Sequence, residues 1–327
     1  MTRPPSDLAQ HPRSVEAPLV SVIIPAYKVA AYIHETLDAI FAQTFSDYEV
    51  VIVNDGSPDT AQLEAALEPY RSRIVYFRQE NQGAAEARNV ALRAARGELV
   101  AFLDADDLWL PHYLAEQVAF LRDNPSYDLV YADAEMFGDP AFEGRRYMEF
   151  ARSEGEVTFE SLLRAECNLI TSGVVARRQI ILDVGLFDRA IRRGHDFDLW
   201  LRLVRMGARL TYQRKVLLRR RMHDESLSGD SLGQKEREVA VLERFSNRGD
   251  LTAREGAVLN TVLAGLRADV CVERAKRLLA RGDYAAASQQ FKDANNLRKN
   301  WKLRLVRLCL WVAPRALRAA QRWRTAA

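Results

Sequence analysis

The sequence Leu19-Val20-Ser21-Val22-Ile23-Ile24-Pro25 is a short apolar run that ends at a proline. It predicts a strand buried on both faces, as in a parallel sheet. After this run, apolar runs alternate with segments of helical spacing as far as residue 104. The predicted strands are 19–25, 48–55, 74–77 and 99–104, and the predicted helices between them are 30–43, 59–69 and 84–95. This alternation predicts an α/β fold with an open, doubly wound, mostly parallel sheet.

The remainder of the chain is less regular. Helices are predicted over 111–123 and 196–206, and strands over 128–132, 170–175 and the short strand region 207–222. From about residue 232 onward only helical patterns occur. The predicted organisation is therefore a disordered lead-in (1–18), an α/β domain (19–230) and an all-helical C-terminal region (231–327), which suits a chain of 327 residues.

Charge is unevenly distributed along the chain. Residues 1–230 carry 27 Lys and Arg against 35 Asp and Glu, whereas residues 231–327 carry 20 against 9, for an overall net charge of +3. An acidic main domain argues against a protein that binds nucleic acid with that domain. The three cysteines lack the paired spacing of a zinc site and predict free thiols in a reducing compartment. The polar N-terminus does not resemble a signal peptide, and no apolar run is long enough to predict a spanning helix.

Acidic residues follow the predicted strand 99–104, in the motif Asp104-Ala105-Asp106-Asp107. Two carboxylates at a strand end can bind a hard divalent cation, since Mg²⁺ and Mn²⁺ prefer oxygen ligands. The same residues can instead cap the helix that follows. In open α/β sheets, ligands bind outside the carboxyl ends of the strands, where this motif is expected.

Four further motifs have two interpretations each. Asn54-Asp55-Gly56-Ser57 is either a turn or a site where Asp55 accepts a hydrogen bond from a nucleobase. Gly83 opens a helix on which Arg88 either meets a phosphate or lies on a solvated face. Asp196, in Gly194-His195-Asp196, is either a helix cap or a general base. His223, after three arginines, is either structural or a ligand.

The order of these motifs resembles that of the inverting glycosyltransferases of family two, which have the GT-A fold. The resemblance covers residues 19–230, about two thirds of the chain, and begins with Pro25-Ala26-Tyr27. It implies transfer of a sugar from a nucleotide-sugar donor, most simply a UDP-sugar, to a hydroxyl of a glycan or of a lipid-linked acceptor. It also implies Mn²⁺ or Mg²⁺ as cofactor and a role in cell-surface glycan or polysaccharide biosynthesis, with no nucleic-acid partner.

The resemblance also implies a role for each matching residue. Asp196 matches the catalytic base, Asp106 matches the metal ligand, and His223 matches a histidine that completes the metal–diphosphate site. Residues matching the nucleotide pocket are Pro25, Ala26, Tyr27 beside the base, Asp55 at a uracil-type edge, Arg88, and Asp104 near the ribose or the metal's water shell. The family usually has glutamate where this chain has His195, which puts in doubt how the acceptor is held. Arg221, at the end of the run 219–221, can form a positive gate over the diphosphate.

Two alternative functions stay open at this stage. A nucleotidyltransferase also uses a doubly wound sheet and metal-binding carboxylates, but a glycine-rich loop is expected where Pro25-Ala26-Tyr27-Lys28 stands. A non-catalytic scaffold that binds a nucleotide-sugar is favoured only by the His195 departure.

The C-terminal tail has its own pattern. Residues 298–324 contain nine Lys and Arg, no acidic residue, and interleaved Trp and Leu. Such basic amphipathic segments lie on anionic membranes, although a soluble helix packed on the domain has the same composition. We therefore expect a cytoplasmic protein that contacts the inner face of the cell membrane through residues 298–327.

Overall fold

The computed structural model describes residues 16–222 and 231–312. The chain divides into two compact units, Met1–Asp224 and Glu225–Ala327. Most of the predicted lead-in, residues 1–15, lies outside the described residues, as do His223 and residues 313–327 of the predicted membrane-binding tail.

The first unit is built on a single sheet of eight strands. Their bounds are β1 Val20–Ala26, β2 Tyr48–Asp55, β3 Ile74–Gln79, β4 Leu99–Phe102, β5 Leu108–Trp109, β6 Leu129–Phe137, β7 Val174–Arg177 and β8 Leu210–Arg221. The strand order is β3-β2-β1-β4-β7-β6-β8-β5. Strands β3, β2, β1 and β4 are parallel, and β6 pairs in parallel with β8, whereas β7 and β5 are antiparallel to their neighbours. The predicted mostly parallel α/β sheet is confirmed.

Seven helices accompany this sheet. They are α1 Ile33–Phe41, α2 Thr60–Leu67, α3 Ala84–Ala94, α4 Tyr113–Asp123, α5 Phe159–Leu163, α6 Arg178–Asp183 and α7 His195–Arg205. Short 3-10 turns cover Glu68–Arg73, Tyr147–Glu149 and Thr171–Gly173.

Strand β1 lies at the centre of the parallel part of the sheet. Six of its seven residues are buried, including Val22, Ile23 and Ile24, which are fully inaccessible. Alternate residues of a strand point to opposite faces, so a continuous apolar run is what a strand covered on both faces requires. The apolar core collects side chains from β1, β2 and β4 together with α1, α2 and α4.

Two parts of the sheet differ from the sequence-based prediction. Residues 170–175 form a 3-10 turn at Thr171–Gly173 before the short strand β7, because polar contacts fix the turn: the Trp109 indole N–H donates to the Ser172 carbonyl at 2.8 Å and the Gln117 amide donates to the Gly173 carbonyl at 2.9 Å. The two-residue strand β5, which pairs with β8, was not predicted. Strand β8 lies within the predicted strand region 207–222 and runs for twelve residues, with a bulge opposite Asp133.

Gly56 turns the chain sharply at the end of β2. Its φ of +61° lies in the left-handed region, and a Cβ at this position would stand 2.6 Å from the backbone nitrogen of Asn81. Only glycine meets both conditions without strain. The close approach brings the loop after β3 against the end of β2, where Asp55 lies.

The described part of the second unit, residues 231–312, is helical, as predicted. Its helices are α8 Ser231–Ser246, α9 Ala253–Arg281, α10 Tyr284–Leu297 and α11 Trp301–Val312. Helix α9 begins with a capping box between Thr252 and Glu255 and ends at Gly282 in the left-handed conformation. A small apolar core joins α9, α10 and α11 through Ala275, Leu279, Ala287, Phe291 and Leu310.

Within residues 16–222 and 231–312, no helix combines the length and the hydropathy needed to cross a bilayer.

Candidate active site

Arg88 brings together two sequence motifs that lie far apart in the chain. It is 5% exposed, on α3; one guanidinium nitrogen pairs with Asp104 and the other lies 2.6 Å from Nε2 of His195. Asp104 follows β4 and His195 begins α7, so this contact links the acidic loop to the Asp196 helix. The alternative that Arg88 lies on a solvated helix face is wrong, since the inner face of α3 is buried.

The loop Asp104–Asp107 is held by α1 and by the 3-10 turn at Thr171–Gly173. The Ala105 carbonyl accepts a hydrogen bond from the Thr36 hydroxyl at 3.0 Å, and the Asp104 N–H donates to Ser172 Oγ at 3.1 Å. The Ser172 hydroxyl in turn donates to Asp107 Oδ2 at 2.6 Å. The helix-cap alternative for this motif is wrong, because β5 follows directly and the next helix, α4, has its N-cap at His112.

Asp107 is a buried carboxylate that sequence analysis did not single out as a site residue. Burial, and then the carboxylates of Asp106 and Asp104, raise its pKa well above the usual value, while Arg220 and the Ser172 hydroxyl act in the opposite direction. Three adjacent acidic groups are thus only partly compensated by protein charges. The sequence places the second and third aspartates two and three residues after Asp104, but it does not reveal that the third, Asp107, is buried.

The chemistry of this loop fits a divalent cation. Asp104 and Asp106 are partly exposed and offer carboxylate oxygens, the donors that Mg²⁺ and Mn²⁺ prefer, and these ions are commonly held by one or two carboxylates and substrate phosphates. Across the described ranges no cluster of three or more His, Cys, Asp or Glu side chains is arranged to hold a metal by itself. His223, the second predicted metal ligand, lies outside the described residues.

Asp55 organises the loop that precedes α3. It is almost fully buried, and its carboxylate accepts hydrogen bonds from the Gln79 side chain at 2.7 Å and from the backbone N–H groups of Gln82 and Gly83 at 2.8 Å each. A carboxylate has about four acceptor positions, so three are already used by the protein. The turn interpretation of this motif is confirmed, and contact of Asp55 with a nucleobase stays a prediction.

The segment after β1 is fixed by a pair of side chains from the β2–α2 loop. Ser57 Oγ accepts from the Lys28 N–H at 2.7 Å, Asp59 Oδ2 accepts from the Ala30 N–H at 3.1 Å, and the Ser57 hydroxyl donates to Asp59. Tyr27 is left exposed at this edge, beside the partly exposed Pro25 and the buried Ala26. Sequence analysis did not assign Asp59 to the site, because it is the first residue of the predicted helix 59–69.

Asp196 lies in the first turn of α7. Gly194, in the left-handed conformation, starts the helix, and a carboxylate at a helix N-terminus is favoured by the helix dipole. Oδ1 accepts from the Phe197 N–H at 2.8 Å and Oδ2 accepts from the Thr171 hydroxyl at 3.2 Å.

The surroundings of Asp196 favour its ionised form. Burial alone would raise its pKa, but His195, the Phe197 N–H, Arg88 and the Thr171 hydroxyl lower the pKa below its usual value. Burial and then Arg88 lower the pKa of His195 to about 4, so at neutral pH the imidazole is uncharged and the remaining three groups stabilise the Asp196 carboxylate.

A second aspartate of this helix has a purely structural role. Asp198 is fully buried and pairs with Arg202 Nε at 2.7 Å. The Arg202 guanidinium also donates to the carbonyls of Val184 and Leu186 at 2.8 and 2.7 Å. The pair therefore fixes the segment that leads into α7, and so the position of Asp196.

Arg221 is anchored in this structure. Its backbone N–H donates to Asp107 at 2.9 Å, and its guanidinium donates to the Asp106 carbonyl at 3.0 Å and to Glu35 at 2.8 Å. Its guanidinium also lies over the rings of Tyr32 and Phe137. These contacts join the end of β8 to the acidic loop, and the gate role of Arg221 stays a prediction.

Comparison with known proteins shows the family to which the chain belongs. The family described as Glycosyl transferase family 2 matches residues 21–184. The chain belongs to glycosyl transferase family 2.

Related sequences agree with this assignment. A glycosyltransferase of Rickettsia typhi that has not been characterised is 28% identical over 263 residues, covering 78% of this chain and 80% of its own length. TuaG of Bacillus subtilis, a glycosyltransferase named for teichuronic acid biosynthesis, is 31% identical over 216 residues, covering 65% and 82%. The predicted glycosyltransferase activity class is therefore confirmed.

Solved structures confirm the predicted GT-A fold. The mannosyltransferase PcManGT of Pyrobaculum calidifontis, in complex with GDP-Man and Mn²⁺, superposes with a TM-score of 0.60 at 21% identity, covering 98% of this chain and 88% of its own. TarS of S. aureus, in complex with UDP-GlcNAc, superposes with a TM-score of 0.57 at 21% identity, covering 92% and 88%.

The raised pKa of Asp107 leads to a prediction for stability. Since the pKa is higher in the folded chain than in the unfolded one, the folded glycosyltransferase keeps a proton that the unfolded chain releases, and stability falls as the pH rises between the two values. We expect Asp107→Asn to abolish this fall and to raise the melting temperature at pH 7. Thermal melts from pH 4 to pH 8 in EDTA measure the effect. Asp47→Asn, at an exposed position before β2, is the matched control, and equal pH dependence in wild type and Asp107→Asn would contradict the prediction.

Proposed function

We propose that this chain is an inverting, metal-dependent glycosyltransferase that moves a sugar from a nucleotide-sugar to an acceptor hydroxyl. One observation carries the proposal: Arg88 connects the Asp196 helix to the acidic loop. Arg88 contacts His195, the neighbour of Asp196 in the chain, and also pairs with Asp104. Asp196 itself is a hydrogen-bonded carboxylate with a lowered pKa. An ionised carboxylate that can accept a proton and a strand-end acidic loop are the two parts that sugar transfer from a nucleoside diphosphate requires.

Asp196 is proposed as the general base. An alcohol is a weak nucleophile until it loses its proton, and a carboxylate within hydrogen-bond reach accepts that proton as the new bond forms. Attack from the side opposite the leaving group inverts the anomeric carbon. The Thr171 hydroxyl and the Phe197 N–H orient the carboxylate, so that one lone pair of Oδ2 is left for the acceptor.

The acidic loop is proposed to serve the donor diphosphate. Asp106 would hold Mn²⁺ or Mg²⁺ together with His223, and the cation would neutralise charge that develops on the leaving diphosphate. Asp104 would lie near the ribose, with its carboxylate oriented by Arg88. The buried Asp107 anchors the loop, because its carboxylate accepts hydrogen bonds from the Ser172 hydroxyl and the Arg221 N–H.

The nucleotide is proposed to lie along the carboxyl ends of β1 and β2. Pro25, Ala26 and Tyr27 would line the pocket, with the exposed Tyr27 ring beside the base and Asp55 at its polar edge. UDP is our first choice for the nucleotide, supported by TarS, whose structure contains UDP-GlcNAc, whereas PcManGT contains GDP-Man.

We propose that the acceptor is a glycan or lipid-linked glycan, assembled at the cytoplasmic face of the cell membrane. The name of TuaG, which refers to teichuronic acid biosynthesis, supports a role in cell-surface polysaccharide formation. Contact with an anionic membrane is supported by α11. One face of this helix, with Leu303, Val306 and Leu310, packs into the apolar core formed with α9 and α10. The opposite, outer face of the helix is also apolar.

The outer face of α11 is the proposed membrane contact. Its apolar side chains are exposed, with Trp311 at 83% and Trp301 at 65%, and the others are Leu305, Leu308 and Val312. Lys302, Arg304 and Arg307 lie in the same helix, which contains no acidic residue. Apolar area and positive charge on one exposed helix are the two contributions to binding at an anionic bilayer surface.

The first prediction from this proposal concerns the base. We expect Asp196→Asn to fold and to lower the rate of sugar transfer by about 10²–10⁴-fold, because the amide cannot accept the acceptor's proton. Transfer from the nucleotide-sugar is measured with wild type and variant side by side. Asp183→Asn, on the exposed end of α6, is the control and should retain full activity. Near-normal turnover of Asp196→Asn would remove Asp196 from the role of base.

The second prediction concerns the donor and the metal. UDP and UDP-GlcNAc with Mn²⁺ should raise the melting temperature, since a ligand at 100 times its Kd stabilises by about 2.7 kcal/mol. EDTA and Asp106→Asn should each abolish most of the shift. GDP, GDP-Man and UTP in the same screen discriminate the base and the triphosphate that a nucleotidyltransferase would bind. A full UDP shift in excess EDTA would contradict the metal role.

The third prediction concerns the membrane. The full chain should co-sediment with vesicles of phosphatidylglycerol and phosphatidylcholine but not with phosphatidylcholine alone. Replacing Leu308 and Trp311 by Ser should lower the partition coefficient about tenfold or more, because two large apolar groups are lost from the bilayer contact. Leu297→Ser, at an exposed position on α10, is the control. Equal sedimentation of all three proteins would contradict the proposed contact.

A further inference from the structure

His195 is a buried polar residue that the proposed chemistry does not use. It is 7% exposed at the start of α7, and its Nε2 lies 2.6 Å from a guanidinium nitrogen of Arg88. Its ring packs edge-on against Phe187, with ring centres 5.5 Å apart. Neither contact faces solvent, so the imidazole is poorly placed to bind an acceptor directly.

The Arg88 contact fixes the tautomer of the imidazole. A guanidinium has only donors, so Nε2 must accept the hydrogen bond and the ring proton of the neutral imidazole must lie on Nδ1. Protonation of Nε2 would place two N–H donors and two positive charges against each other. Burial and the charge of Arg88 lower the pKa of His195 to about 4, in agreement with this geometry.

The Phe187 ring packs against both Arg88 and His195. Its centre lies 5.7 Å from the Arg88 guanidinium carbon and 5.5 Å from the His195 ring centre. The backbone of Phe187 is bound in both directions by Asn89, which donates to its carbonyl at 2.8 Å and accepts from its N–H at 3.0 Å. Asn89 follows Arg88 on α3. The same helix therefore carries the guanidinium and holds the backbone of Phe187, the residue whose ring packs on His195.

Whether residue 195 is neutral or negatively charged therefore determines which carboxylates balance the charge of Arg88. An imidazole accepts the hydrogen bond without adding charge, so the guanidinium is balanced by Asp104, with which it pairs, and by the nearby Asp196. A carboxylate at position 195 would accept the same hydrogen bond but would neutralise Arg88 and add a negative charge beside Asp196.

We propose that His195 is a positioning residue that holds Arg88 as an uncharged hydrogen-bond acceptor, so that Arg88 stabilises the Asp196 carboxylate and extends sugar transfer to lower pH. The inference rests on the proposed role of Asp196 as base. Several groups face Asp196: Arg88 from α3, the Thr171 hydroxyl from the 3-10 turn, and His195 and the Phe197 N–H from α7 itself. Asp104, at the end of β4, acts on His195.

Carboxyl NMR titration tests the proposal without a substrate. The Asp196 signal, assigned by its loss in Asp196→Asn, should titrate about one unit or more higher in His195→Glu than in wild type. His195→Gln, whose amide oxygen is an uncharged acceptor, should leave the Asp196 pKa close to that of wild type. His34→Gln, on the exposed side of α1, is the matched control. Equal titration in His195→Glu and His195→Gln would overturn the proposal.

Two further measurements separate this inference from the proposed function. Nitrogen NMR should show Nε2 of His195, assigned by its loss in His195→Gln, unprotonated from pH 5 to pH 8; a protonated Nε2 would also overturn the proposal. The rate of UDP release from UDP-GlcNAc with Mn²⁺ should be measured as the pH is lowered. This rate should fall to half at a higher pH in His195→Glu than in His195→Gln. If Asp196→Asn keeps full activity while the titrations behave as expected, the base assignment fails and the electrostatic role of His195 stands.

Discussion

A buried guanidinium is the interaction on which the site depends. Arg88 pairs with Asp104 on one side and contacts His195 on the other, so it fixes the distance between the end of β4 and the start of α7. Arg88 is 5% exposed, so loss of its partner would leave a charge that water reaches poorly. A shift of α3 would therefore disturb both the acidic loop at Asp104 and the start of α7 at His195. The small residues around Arg88 on α3 allow this helix to pack closely, which keeps Arg88 in place.

The sheet makes this contact possible. Strands β1, β2 and β4 are parallel and end at one edge, so the residues that follow them are neighbours although they are distant in the chain. Gly56 and Asp55 then draw the loop after β3 toward the same edge, which starts α3 at Gly83 and so carries Arg88 to its place. The polar residues of the site are thus supported by backbone hydrogen bonds, and few of them depend on a single flexible side chain.

The sequence predicted the parts of the molecule that local patterns determine. Apolar runs located β1 to β4, the acidic motif after β4 located Asp104 and Asp106, and the start of a helical pattern located Asp196, because hydrophobic periodicity and turn residues act over short distances. It did not predict the 3-10 turn at Thr171–Gly173 or the two-residue strand β5, since tertiary hydrogen bonds to Trp109 and Gln117 override the strand preference of Ile170–Val175. The partner of His195 and the anchoring of Arg221 are long-range pairings, and a single sequence contains no signal for them.

The 3-10 turn gives the two sides of the site a common support. Thr171 donates to Asp196, and its neighbour Ser172 donates to Asp107 and accepts from the Asp104 N–H. One short, buried turn thus orients the carboxylate proposed as base and the loop proposed to serve the diphosphate. Successive side chains of a strand point to opposite faces of the sheet. A strand at this position would therefore direct only one of Thr171 and Ser172 toward the site. The departure from regular strand geometry at residues 171–173 is therefore the feature that allows both carboxylate groups to be held from the same piece of backbone.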